Sequence, residues 1–442
     1  MGWKEKVLKV VLFVMIVAIV PGLPPYPTFP FKSFRITPAR ELEGVLAPNQ
    51  LLNSPEQLLK NRLVAPETIL VRGNTTYASV FGGEIIEITG NYDQIRVVAK
   101  FGRECRGSHD ERECGRPLGI AFDTQGNNLI VAEPYFGIWQ VQIKTGAKKQ
   151  LVSRDEVIEG GKVARKPRIP NSVVVAKNGD IYWSDTASDF CFEHGLQALL
   201  LNPSGRLIHY SRASNKNRVL IDEIHGANGV ALNKDESVVL VGELGGQLIR
   251  RYYLKGPKAG TDDIFVDGLP GSVDNLSSDE NGIWVALVIA TDKDNPSPIA
   301  MLAQFPSLRK VIVRFMTILE IPFRFIYEKT GNDIALKVSH LIGNLASMPS
   351  FFPKRGTVLR LNWEGNILAA LHSDDGKGNF IAQAVQSGDY LLLGSPVHPW
   401  LGRVKLTEEI LHLVSSGQSK QPVKTEKKVA VDTTRQKSNE EL

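Results

Sequence analysis

The stretch Gly119–Ile143, GIAFDTQGNNLIVAEPYFGIWQVQI, reads as three short apolar strands punctuated by polar turns. Its strands are rich in Ile, Val, Leu and Trp, side chains that fit a pleated, half-buried surface. The QGN turn supplies the small and polar residues that a tight hairpin needs. The same design returns down the chain. SVVVAKNGDIYWSDTASDF opens at Ser172, with an outer part GRLIHYS from Gly205; GVALNKDESVVLVGELGGQLIRRYYL opens at Gly229; NLSSDENGIWVALV opens at Asn275. NGD, KDES and ENG take the place of QGN. Starts at 119, 172, 229 and 275 give a repeat of roughly 50 residues, the length of a four-stranded propeller blade. Weaker units fit at 67–89 and 357–405. The pattern predicts an all-β, six-bladed β-propeller over residues 35–414. A β-sandwich or two small β domains would not hold so regular a spacing over so long a span.

Four oxygen-bearing side chains head these units: Glu67 in APETIL, Asn171 in RIPNSVVV, Asn228 in HGANGVAL and Asp274 in PGSVDNLS. Any one alone reads as an ordinary turn cap. Four at corresponding places are different, because the inner strands of a propeller converge on one channel. The set predicts a ring of two carboxylates and two amides at one mouth, a donor set suited to Ca2+. Such an ion polarises a carbonyl or phosphoryl oxygen. Asp274 is then a possible nucleophile, and His225, three residues before Asn228, a possible nearby base or else a solvent-facing loop histidine. His194 in CFEHG sits on a blade loop with the same two readings. The chain has no G-x-S-x-G elbow, so a serine hydrolase triad finds no support.

The net charge of +5 is small for 442 residues, and the basic residues form no stripe interleaved with aromatics, which argues against nucleic-acid binding. Of three cysteines, Cys105 and Cys114 flank the polar loop ECRGSHDEREC and are expected to pair; the alternative is three reduced thiols in a cytosolic protein. Cys191 is left over as a small packed side chain.

The first residues point to a membrane. Lys4, Lys6 and Lys9 precede an unbroken apolar run from Val10 to Val20, which Pro21, Gly22 and Pro24–Pro25 end. The expectation is a short cytoplasmic segment (1–9) and an uncleaved signal anchor (10–25), giving a single-pass type II protein; a cleaved signal peptide is the alternative. Either way the propeller lies in the lumen of the endoplasmic reticulum or outside the cell, and Asn74 in NTT is a candidate glycosylation site. Asn275 also begins a sequon but adjoins Asp274 and is expected to be buried. Residues 294–352 interrupt the blades before the last unit. They read as a basic amphipathic helix broken at Pro322 and a second helix, forming a cap, a lid or an interfacial membrane contact. From 415 to 442 the chain is polar and expected to be disordered, ending in NEEL.

The strings CGRPLGIAFD, IVAEPYFGIWQV, HGANGVAL, GELGGQLIRRYYLKGPKAG and IFVDGLPGSVDN resemble the adipocyte plasma membrane-associated and hemomucin-like branch of the strictosidine synthase-like family. The resemblance covers residues 35–405. It implies a six-bladed, calcium-dependent propeller on a membrane anchor, with arylesterase-type hydrolysis of a small ester-like substrate in one group and surface binding in the other. The glutamate, two asparagines and aspartate that hold calcium in the wider superfamily match Glu67, Asn171, Asn228 and Asp274. Two positions depart. Leu118 stands where paraoxonases carry a histidine, and Ala382 aligns near the glutamate of true strictosidine synthases. The resemblance therefore implies neither paraoxonase-type lactone hydrolysis nor alkaloid condensation.

Overall fold

The computed structural model describes residues 2–20, 22–28, 30–344 and 353–416. The described residues form six four-stranded antiparallel sheets. Their inner strands are Ile69–Arg72, Gly119–Phe122, Pro170–Val175, Ala227–Leu232, Gly271–Asp279 and Gln383–Ser387, which we number as blades one to six. Glu56–Leu58 is the outermost strand of blade six, paired with Leu401–Lys405. The two ends of the propeller are thus joined in one sheet, which leaves no open gap between first and last blades.

The core lies between blades. Ile130 and Ile138 of blade two pack with Val173, Trp183 and Ile208 of blade three. Ala231, Leu240 and Ile249 of blade four pack with Val273, Val285 and Leu359 of blade five. This is the sheet-on-sheet burial that the apolar strands require. At the channel the inner strands approach backbone to backbone. A Cβ at Gly229 would lie 2.6 Å from the Asp274 carbonyl oxygen, and one at Gly394 would lie 2.3 Å from that of Glu67. Glycine at these places lets neighbouring blades set the ring residues close together.

Two expectations need correction. The helical cap does not precede the last blade; it is inserted inside blade five. Ile283 pairs with Leu361 and Trp284 with Arg360, so the strands at 356–373 complete that blade after the chain returns from the cap. Nor is the cap helix broken at Pro322. We number the helices α1 (Trp3–Ile19), α2 (Glu111–Cys114), α3 (Gly195–Leu200), α4 (Pro298–Leu302), α5 (Pro306–Thr330), α6 (Asp333–Gly343) and α7 (Glu408–Ser416). α5 runs through Pro322, which removes one backbone donor from the ladder without ending it.

The N-terminal helix also differs from the expected anchor. α1 begins among the lysines and stops at Ile19, so it covers 17 residues rather than 10–25. No described helix is long and apolar enough to cross a membrane. The polar tail beyond Ser416, with its NEEL end, and cap residues 345–352 lie outside the described residues.

Candidate metal centre and adjoining cavity

Three of the four ring residues sit where an inner strand breaks register. Asn171 falls between Pro170 and Val173, Asn228 between Ala227 and Val230, and Asp274 between Val273 and Leu276. An extra residue in one strand bends it and re-aims a side chain out of the pleat. Glu67 comes just ahead of its strand, its N–H bonded to the Ser79 carbonyl at 3.0 Å. All four are buried, and all four line one cavity of about 140 Å³. Oδ1 of Asn171, Asn228 and Asp274 is in each case buried with no hydrogen-bond partner.

Three unpartnered acceptor oxygens beside a buried carboxylate form an arrangement that is costly without a cation. Burial pushes the Glu67 carboxyl up, against the pull of Arg116. Asp274 is pushed well up by burial and by the charge of Glu67, with a smaller opposing hydrogen bond from Asn228. Each carboxylate thus raises the cost of ionising the other. A hard divalent cation relieves that cost and accepts this donor set, so the residues fit Ca2+. Among the described residues there is no cluster of three or more His, Cys, Asp or Glu; the ring is half amide.

The sequence reading missed two cavity residues. Arg116 is buried, with its Nη2 3.3 Å from Glu67 Oε2 and 2.7 Å from the Pro396 carbonyl oxygen. Glu111, on α2, lies 3.8 Å from Arg116, and burial pushes its carboxyl up to about 7. Glu111 lies in the loop closed by the Cys105–Cys114 disulfide, which forms as expected, and Arg116 stands two residues beyond it. The charged residues between and just beyond the two cysteines were the available signal.

The histidines separate. His225 is buried at the cavity rather than solvent-facing, and burial holds its pKa down. Its Nε2 lies 2.7 Å from the Leu199 carbonyl oxygen, which can only accept, so the neutral ring keeps Nδ1 as an unpartnered acceptor. His194 instead bonds Glu320 of α5 at 3.0 Å and serves to hold the cap. Leu118 packs with Ile169, Ala187 and Ala198, and Ala382 is fully buried, its carbonyl accepting from the Asn275 N–H. Both divergent positions are apolar packing. Phe192, Ala198, Leu199, Val288 and Ile289 supply apolar lining to the same cavity. Asn74 lies exposed on a turn, and Asn275 is buried.

The strictosidine synthase family model matches residues 171–257, the segment that carries Asn171 and Asn228. Hemomucin of Drosophila melanogaster, an adipocyte plasma membrane-associated protein, is 42% identical over 375 residues; the match covers 85% of this chain and 64% of that protein. The chain thus spans less than two thirds of that relative. The adipocyte plasma membrane-associated protein of Bos taurus is 31% identical over 368 residues, covering 82% of this chain and 81% of its own length. Among solved structures, a gluconolactonase of Xanthomonas campestris aligns with a TM-score of 0.48 at 15% identity, covering 88% of this chain and 99% of that one. Identity at this level across nearly the whole propeller places the chain in the family of adipocyte plasma membrane-associated proteins, with a strictosidine synthase-like fold.

Proposed function

We propose that this chain is a membrane-associated, calcium-dependent hydrolase of small ester-like substrates. The observation that carries the reading is the cavity itself. It sets four convergent oxygen ligands, three of them with an unpartnered oxygen, against an apolar wall that a lipophilic acyl or aryl group would fill. Glu67, Asn171, Asn228 and Asp274 would hold the ion, which when bound supplies Lewis-acid polarisation of an ester carbonyl. Arg116 fixes Glu67 from behind. Glu111 is the group that can take or return a proton near neutral pH, because burial brings its carboxyl to about 7. Asp274 is the nucleophile candidate within the ring, and His225 an additional acceptor through Nδ1. The propeller is assigned to the lumen or cell exterior, where a disulfide such as Cys105–Cys114 persists, with α1 as membrane attachment and Asn74 as glycan acceptor.

The test is phenyl acetate hydrolysis by the full chain in detergent micelles, with and without a calcium chelator. The reading predicts turnover that is lost on chelation and returns when calcium is restored. No turnover, with a melting temperature that still rises with calcium, would replace it with a non-enzymatic binding protein in which the ion serves structure.

A further inference from the structure

α5 carries its apolar side chains on the wrong face for a helix that only packs on protein. Leu308, Phe315, Leu319 and Ile326 are 47%, 42%, 43% and 42% exposed. At 100° per residue these four lie within ~20° of one line along the helix. The inward face is different: Arg309, Val313 and Glu320 are buried there. Arg309 donates to the Leu200 and Leu201 carbonyls at 2.9 and 3.0 Å, which fixes the rotation of α5 on the propeller and keeps the apolar stripe outward.

α1 extends the same surface. Phe13 meets Phe315 edge to face at 6.2 Å, and Arg314 donates to the Val17 and Val20 carbonyls at 3.0 and 3.2 Å. Trp3, Val10, Leu12, Met15 and Ile16 of α1 are exposed as well. The exposed apolar residues of the two helices form one neighbouring set, where soluble monomers rarely leave large contiguous apolar patches. Lys329 lies about 60° from the stripe on α5, and Lys4 and Lys6 are exposed at the start of α1. An outward apolar stripe that runs on into the exposed apolar residues of a second helix is the design of a surface that lies at a lipid interface.

We infer that α5 is a second membrane contact, lying in the plane of the bilayer beside α1 and seating the propeller cap-side down. α5 packs with α3, whose Ala198 and Leu199 wall the cavity, so this seat brings the cavity end of the propeller toward the lipid. The occupant is lipid rather than a second copy of the chain, because the Phe13–Phe315 contact makes the stripe continuous with the apolar residues of α1, the helix proposed as the membrane attachment. The inference does not depend on the hydrolase reading.

The test uses the full chain with Cys191→Ser, reconstituted in phosphatidylcholine–phosphatidylserine vesicles, with a bimane label at Leu319→Cys. A second preparation carries the label at Ile264→Cys, an exposed residue on the outer strand of blade four. Nitroxide-bearing lipids should quench the label at 319 at least several-fold more than the label at 264, and aqueous iodide should do the reverse. Equal lipid quenching at the two positions would overturn the proposal. So would a label at 319 shielded from both quenchers, which would mean that a second copy covers the stripe. Adding Phe315→Asp and Ile326→Asp should abolish the difference in lipid quenching while circular dichroism stays unchanged; persistence of the difference would contradict the assignment to α5. Calcium binding measured on the same samples separates failure of this seat from failure of the metal ring.

Discussion

Glu111 is the cavity carboxyl that burial brings to about 7. Its carboxyl is fully enclosed and faces Arg116, Glu67, Glu193 and Tyr135; burial is the largest influence, with Arg116 pulling the other way. Its pKa is raised from 4.5 to about 7 on folding, so the folded state keeps a proton that the unfolded chain releases. The stability this confers is full below the unfolded value and is lost as pH rises through about 7. Glu111→Gln cannot ionise. In chelator its melting temperature should gain on the unsubstituted chain as pH climbs through that range, and its hydrolysis should lose the corresponding limb of the pH–rate profile. Parallel melting curves at every pH would show that Glu111 does not carry this proton. The four ring residues were legible in the sequence because each heads a repeat. Glu111 and Arg116 were not, since they lie within and just after a disulfide loop outside the repeat and meet at the cavity only in the folded structure.

At the scale of elements, the blades were legible because strand alternation and turn chemistry are local properties. The location of the cap was not. That the strands at 356–373 return to blade five is a long-range pairing, set by Ile283 facing Leu361 across the whole insertion. The register breaks at Asn171, Asn228 and Asp274 were equally invisible, although they are what aims the ring. Continuity of α5 through Pro322 follows from packing that outweighs the lost hydrogen bond. Arg309 is the pin of that packing. It is fully buried, holds two carbonyls at the end of α3 and the Lys32 carbonyl, and lies 4.4 Å from the Phe34 ring. Arg309→Met keeps the aliphatic stem but leaves two buried acceptors and one half-buried one without this donor, and should cost about 2–4 kcal/mol of stability. Limited proteolysis should then cut first within the cap while the blades stay intact. Cleavage spread evenly over the chain would show that Arg309 supports the whole fold rather than the cap.

At the scale of the whole molecule, blade six is closed by the strand Glu56–Leu58, and the four ring residues come from blades one, three, four and five. An ion held there ties four blades together at the channel, so calcium binding and global stability should be linked. The two ring carboxylates are both pushed up by burial, and protons compete with the ion for them. Affinity should therefore fall as pH is lowered. The most direct measurement is calcium titration calorimetry on the full chain in detergent, beside Asp274→Asn, which keeps the shape of the ligand and removes its charge. The account predicts one calcium site in the unsubstituted chain and affinity at least tenfold weaker in the variant, a loss of about 1.4 kcal/mol or more. Equal affinity in the two proteins would contradict the assignment of the ring as the metal centre.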